Sequence, residues 1–309
     1  MTPAAALPIG SWLAGAERRP LVARLQRFER HFEQALPPAG DTPPKLHAAM
    51  RYAALGSGKR LRPLLVLTAC EAVGGRWLKA LPAAAAVECV HAFSLVHDDL
   101  PCMDDDDYRR GRLTVHKKYG EAMALLAGDA LLALAFEQLT HLAATGVPPP
   151  AVTRAVQVLG EAAGSRVLVG GQVLDLQGEG KRVNGPGVRE IHLRKTGGLV
   201  SASLVLGGLA GGATPGQLRG LATMGLELGL AFQIHDDLLN RGSSLARLGK
   251  RAGTDDQLEK ATYPRAVGVE RARGEGARLY LSALKHIERL GPRAANLGHL
   301  IIAVAERDR

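Results

Sequence analysis

The 309-residue sequence predicts an all-α protein folded as one large helical bundle, and three observations carry that expectation. Hydrophobic residues make up 46% of the chain but aromatics only 4%, so Ala, Leu and Gly must build the core, and small side chains let helices pack closely. Apolar residues recur at helical spacing in segment after segment, with Pro and Gly clusters between them. No run alternates apolar and polar residues as a half-buried strand would.

Residues 1–17 are rich in Pro, Ala and Gly and read as a loose N-terminal arm, leaving 18–309 as the single domain. From Leu21 to Leu36 apolar positions alternate with Arg, Glu and Gln at the spacing of an amphipathic helix. The same pattern predicts helices near 44–55, 62–73, 80–100, 120–143 and 150–167, then 188–211, 215–240, 262–290 and 294–306. Breaker clusters at 37–44, 145–150, 180–187 and 212–216 separate them. No repeat period and no shift in composition marks a domain boundary.

A net charge of +9 points to anionic partners, or to nothing more than a solvated basic surface. The basic residues are spread from Arg18 to Arg309 without interleaved aromatics, and no zinc-finger or RNA-recognition signature occurs, which argues against nucleic acid. Cys70, Cys89 and Cys102 do not form a disulfide framework, and no secretory signal pattern opens the chain, so the cytoplasm is the expected compartment. The uncharged stretch from Gly197 to Leu218 reads as a buried core helix rather than a stable membrane insertion.

Chemistry concentrates in three places. Six aspartates lie between Asp98 and Asp107, a density that repels itself unless cations or solvent neutralise it. In an unbroken helix Asp98 and Asp104 would stand about 120° apart, but Pro101 removes a backbone donor, and a local bulge there could unite the two carboxylates. Oxygen donors of this kind suit Mg²⁺, which takes one or two carboxylates and completes its shell with water and phosphate oxygens. A second acidic pair, Asp236-Asp237, sits on the amphipathic segment Gln233–Asn240, with Asp236 and Asn240 on one face. The third place is the turn Gly56-Ser57-Gly58-Lys59-Arg60-Leu61-Arg62-Pro63. It lacks the first Gly and the Ser/Thr of a nucleotide-binding P-loop, yet Lys59 and Arg62 can still grip a diphosphate.

Taken together, Gly58–Pro63, His91, the Asp98–Gly111 run, Lys195-Thr196-Gly197 and Gln233–Asp237 resemble the trans-prenyl diphosphate synthase family. Their order and spacing are similar to those of bacterial farnesyl and geranylgeranyl diphosphate synthases, from about residue 20 onwards. The resemblance implies an isoprenoid-synthase bundle around a deep central cavity, a homodimer, and three Mg²⁺ ions bridging facing acidic sites to an allylic diphosphate. It implies Asp98, Asp104 and Asp236 as metal ligands. Lys59, Arg62, His91 and Arg110 match positions that bind isopentenyl diphosphate, while Arg109, Lys195, Gln233, Lys250 and Lys260 match positions that hold the allylic diphosphate, dimethylallyl or geranyl. Thr196 and the Lys195 carbonyl would face the developing cation. Phe93, five residues before Asp98, matches the side chain that closes the cavity, which implies a fifteen-carbon, farnesyl product, with a twenty-carbon, geranylgeranyl product as the alternative.

Asn240 and Glu259 depart from the family pattern: the first loses a ligand charge, and the second stands where Gly commonly precedes the lysine. A non-catalytic subunit that regulates a partner synthase is therefore a rival reading, although the first acidic site and the basic set are intact. A terpene cyclase would not need the second diphosphate site of Lys59, Arg62 and His91. A helical metal-binding scaffold would not need the accompanying lysines and arginines.

Overall fold

The computed structural model describes residues 13, 15–181, 183–240 and 260–306; of the N-terminal arm, residues 1–12 and 14 lie outside them. The all-α expectation holds. Fourteen helices follow one another in the described chain: α1 Arg19–Ala35, α2 Pro44–Ala54, α3 Leu61–Ala72, α4 Leu81–Asp98, α5 Val115–Tyr119, α6 Glu121–Thr140 and α7 Pro149–Ala163. They continue as α8 Leu168–Gly178, α9 Gly185–His192, α10 Gly198–Gly211, α11 Pro215–Asn240, α12 Tyr263–Val267, α13 Val269–Leu290 and α14 Ala295–Glu306.

Helix α4 runs through the middle, and every residue from Leu81 to Val90 is buried. Its Ala83–Ala86 run gives neighbours no bulk to avoid, so α1, α3 and α6 pack against it around Phe28, Phe32, Leu67 and Leu131. Small residues bring α10 onto α3: a Cβ on Gly207 would lie 2.1 Å from the Val66 carbonyl oxygen. A second apolar cluster joins α11, α13 and α14 through Met224, Leu228, Ile234, Leu279 and Ile301. Two segments, Trp77–Asp98 and Glu121–Thr145, are long and apolar enough to cross a membrane by length and composition. The first is 78% buried inside the protein, as a core helix should be.

The boundaries differ from the sequence expectation where glycine or unusual backbone intervenes. The segment predicted at 188–211 is three pieces, because a π-helical turn over Leu193–Gly197 separates α9 from α10. Gly268, at φ 91°, divides the segment predicted at 262–290 into α12 and α13. Helix α8 was not predicted, because Gly164, Gly170, Gly171 and Gly178 dilute its periodicity. A two-stranded hairpin, β1 Tyr108–Arg109 and β2 Arg112–Leu113, also breaks the all-helix pattern. Arg110 (φ 53°) and Gly111 (φ 76°) form its tip, the left-handed pair that a two-residue hairpin turn requires.

Candidate active site

The acidic run begins at the C-terminal end of α4, and there the helix stops. Asp98 is its last residue, and a turn closes back on it: the Met103 amide donates to Leu100 O (2.9 Å) and the Asp104 amide to Asp98 O (2.8 Å). A terminating turn, rather than a bulge within a continuing helix, unites Asp98 and Asp104. Burial pushes the Asp98 carboxyl up; nearby Lys195 opposes that, and the like charge of Asp104 adds to it.

The six aspartates are sorted by the fold. Asp104 accepts from Lys260 Nζ at 2.9 Å. Buried Asp99 and Asp106 both hold Arg109, with Arg109 Nε donating to Asp99 Oδ1 at 2.6 Å. Asp107 pairs with Lys117 on the surface, and Asp105 is exposed at φ 49°. Sequence spacing alone does not assign Asp99 and Asp106 to the orientation of an arginine.

Near Asp98 lies the π-helical turn. It carries Lys195, whose Nζ donates to Asp175 Oδ2 (2.6 Å), and Thr196, whose hydroxyl donates to Gln233 Oε1 (3.0 Å). Burial lowers the Lys195 pKa, but Asp98, Asp175 and Asp104 together hold it raised and the amine charged. Lys260 is raised likewise, with Asp104 outweighing burial. Gly171 lets this turn seat on α8, since a Cβ there would lie 2.4 Å from the Lys195 backbone nitrogen. Asp175 and Gln172 lie on the unpredicted helix α8, and the Gln172 amide is buried with neither its oxygen nor its nitrogen hydrogen-bonded. The only signal that would have found them was an acidic residue in an otherwise apolar, Gly-rich segment.

A third group of charges lies around the turn that enters α3, the middle of α4 and the tip of the hairpin. Arg60, at φ 49°, turns its guanidinium inward to Glu29 (2.8 Å), Glu88 (2.6 Å) and Gly56 O (2.9 Å). Burial disfavours its charge, but Glu88 and Glu29 more than offset this. Arg60 thus fixes the turn that presents Lys59 and Arg62. Replacing Arg60 with Ala leaves Glu88 buried without its cation, so we expect a loss of about 3–5 kcal/mol in denaturant unfolding. Arg62 has a buried Nε without a hydrogen-bond partner, and burial lowers its pKa against the pull of Glu88 and Asp236. Arg110 Nη1 donates to Ser57 O at 2.8 Å, an approach that Gly58 permits because a Cβ there would lie 2.5 Å from that nitrogen. Arg60, Asp105 and Arg110 are the non-glycine residues with positive φ among those described, and all three lie in this region.

His91 lies two turns before Asp98 on α4. Burial, then Arg62, Arg110, Arg109 and Arg60, push it well below its ordinary value of 6.5. With the folded pKa below the unfolded one, the unfolded chain binds more protons. The corresponding stability is full above about pH 6.5 and is lost as pH falls through the folded value. His91→Gln should therefore flatten the decline of stability below pH 6.5, measured by urea unfolding across that range. The remaining slope should include His31, which burial, Arg27 and His141 also lower.

Asp236 lies close enough to Arg62 to raise its pKa, whereas Asp237 is engaged with the scaffold by hydrogen bonds from His192, Tyr263 N and Gln233. Asp237 is therefore not available in the way a metal-ligand pair would need. Lys250, Glu259 and the side chain of Asn240 lie outside the described residues. Phe93 is buried in the core edge-on to His97, with ring centroids 5.2 Å apart.

The acidic pair Asp98 and Asp104 thus has Lys195, Lys260 and Arg109 near it, and a second set of cations, Arg62, Arg110 and Arg60, gathers with Arg109 around His91. The model for the polyprenyl synthetase family matches residues 43–290, which include every described element of this arrangement. This chain belongs to the polyprenyl synthetase family. Among its relatives is heterodimeric geranylgeranyl pyrophosphate synthase large subunit 1, chloroplastic, of Arabidopsis thaliana. It is 48% identical over 235 residues, which cover 75% of this chain and 63% of that protein. An apo FPP/GFPP synthase from Zymomonas mobilis has the same fold at a TM-score of 0.81 and 36% identity, covering 92% of this chain and 97% of that one. A geranyltransferase from Helicobacter pylori, complexed with magnesium and isoprenyl diphosphate, is similar at a TM-score of 0.82 and 30% identity, covering 95% and 97%.

Proposed function

We propose that this member of the family is a short-chain trans-prenyl diphosphate synthase, condensing isopentenyl diphosphate with dimethylallyl or geranyl diphosphate. The observation that carries the reading is the acidic pair Asp98 and Asp104 with two sets of cations near it, Lys195 and Lys260 at the pair and the arginines around His91, Arg109 being common to both. One set is enough to bind one diphosphate; two sets suit a reaction between two.

The donors fit Mg²⁺. No three acidic or His/Cys side chains converge into a closed metal cage among the described residues. Burial and the like charge of Asp104 disfavour ionisation of Asp98, and the pair nevertheless suits an ion that takes part of its shell from substrate phosphates. Asp98 and Asp104 would hold one such ion and Asp236 another, and when bound they would supply positive charge to the departing pyrophosphate. The magnesium and isoprenyl diphosphate of the Helicobacter pylori complex support this.

In this reading Lys195 and Lys260, with Arg109 and Lys250, hold the allylic diphosphate and stabilise the negative charge that develops as its C–O bond breaks. Thr196, aligned by Gln233, and the Lys195 carbonyl oxygen face the cation left behind. Lys59, Arg62, His91 and Arg110 hold isopentenyl diphosphate with its double bond against that cation. The double bond supplies the electron pair for the new C–C bond, and the proton then lost passes to the bound pyrophosphate. The apolar walls exclude water that would otherwise capture the cation.

Phe93 supports a fifteen-carbon product. The names of the relatives, geranylgeranyl pyrophosphate synthases among them, favour twenty carbons as the second reading. We read the protein as a homodimer that works in the cytoplasm. Leu125 and Leu126 on α6, 48% and 51% exposed, suit a subunit contact, whereas some relatives are named heterodimeric or chloroplastic. Purified protein incubated with Mg²⁺, isopentenyl diphosphate and each allylic diphosphate should condense them, and chromatography reads product length. Folded protein without turnover would overturn the reading in favour of a non-catalytic subunit.

A further inference from the structure

One buried carboxylate ties together three elements of the bundle. Asp237 lies in the second acidic pair on α11 and is 3% exposed. Its Oδ2 accepts from His192 Nε2 at 2.8 Å and from the Tyr263 amide at 2.8 Å, and its Oδ1 accepts from Gln233 Nε2 at 3.2 Å. Gln233 in turn accepts from the Thr196 hydroxyl. His192 is 6% exposed and is the last residue of α9, immediately before the π-helical turn that carries Lys195 and Thr196. The turn is therefore gripped at two points on α11, at its start through His192 and Asp237 and at its middle through Thr196 and Gln233. The Tyr263 amide adds the start of α12, three residues after Lys260.

The arrangement also fixes direction. A carboxylate only accepts, so His192 must present Nε2–H to it. With Asp237 holding the amide nitrogen of Gln233, the Gln233 carbonyl oxygen is left facing the Thr196 hydroxyl. Rotating that amide by half a turn would set two acceptors, Gln233 Oε1 and Asp237 Oδ1, against each other. A π-helical turn has one more residue per hydrogen-bonded loop than the helices flanking it, so its register is not set by α9 and α10 alone. These side-chain bonds therefore help set the positions of Lys195 and Thr196, together with the seat of the turn on α8 at Gly171 and the Lys195–Asp175 pair.

We propose that His192 is a positioning residue for the allylic half of the reaction: through Asp237 it fixes Gln233, Thr196 and the π-helical turn of Lys195. Asp237 thereby serves the scaffold rather than a metal ion. The inference rests on the synthase reading above, and it is specific because Lys59, Arg62, His91 and Arg110, read there as holding isopentenyl diphosphate, are not part of this network.

Steady-state kinetics of the purified full chain test it, with geranyl diphosphate and isopentenyl diphosphate varied in turn. His192→Ala should raise KM for geranyl diphosphate about tenfold or more, as loss of a partner that orients a ligand-binding group commonly does, and leave KM for isopentenyl diphosphate within about twofold. His192→Gln, which can place an amide N–H where Nε2 stood, should restore most of the loss. Asp237→Asn should give the same split, and the double variant His192→Ala/Asp237→Asn should be no worse than either single one, since both break one chain of contacts. A metal-free readout accompanies these: in EDTA, the ring nitrogens of His192 in ¹⁵N NMR should report an Nε2–H imidazole, perturbed by Asp237→Asn. Equal increases in both KM values, no rescue by Gln, additive effects or an unperturbed His192 ring would each overturn the proposal. If His192→Ala does not fold, His192→Gln and Asp237→Asn carry the test by themselves. Absence of turnover in the unaltered protein would instead refute the synthase reading.

Discussion

Asp98→Asn should lower turnover by at least about 10²–10³-fold, the range expected when a group that stabilises developing charge is lost. It should do so without destabilising the protein. Burial and Asp104 raise the Asp98 pKa, so the folded protein holds this carboxylate at a cost, and the uncharged amide removes that cost. Lys195 keeps Asp175 as its partner, so no amine is stranded. Measured in EDTA, the melting temperature of Asp98→Asn should equal or exceed that of the unaltered protein, the pattern of a residue kept for activity at the expense of stability. Asp105→Asn is the matched control. It removes a charge from the same run at an exposed, left-handed position that Asn tolerates, and should change turnover by less than about twofold. Wild-type turnover in Asp98→Asn, or equal losses in the two variants, would remove Asp98 from the reaction.

Phe93→Ala should lengthen the product by at least one five-carbon unit, whichever length the unaltered enzyme makes. The ring is buried on α4, just over one turn before Asp98, and stands edge-on to His97, which makes a 3.1 Å hydrogen-bonding contact to Leu125 O on α6. Its removal opens space between α4 and α6 in line with the acidic pair. Truncating a buried Phe typically costs about 3–5 kcal/mol, so the variant should also melt earlier. Phe93→Leu retains more of the packing and should give an intermediate distribution if Phe93→Ala does not fold. Reverse-phase chromatography of the dephosphorylated alcohols reads both. An unchanged product from folded Phe93→Ala would place the end of the cavity elsewhere.

The sequence alone determined the helical class, the course of α1 to α4, α6, α7, α11 and α14 to within a few residues, and the motifs that carry the chemistry. These are local properties: apolar spacing reports which face of a helix is buried, and dense charge stands out in any chain. Helix α8 escaped because its glycines weaken the same signal, and Asp175 and Gln172 were lost with it. The tertiary structure alone decided what each charge does. Six aspartates within ten residues look alike in sequence, yet Asp99 and Asp106 hold Arg109, while Asp98 and Asp104 face lysines contributed from beyond residue 190. Asp236 and Asp237 are adjacent, yet only Asp237 is bound by His192, Gln233 and the Tyr263 amide. Adjacent residues on a helix point about 100° apart, so neighbours in sequence meet different partners, and those partners are fixed only when distant elements pack.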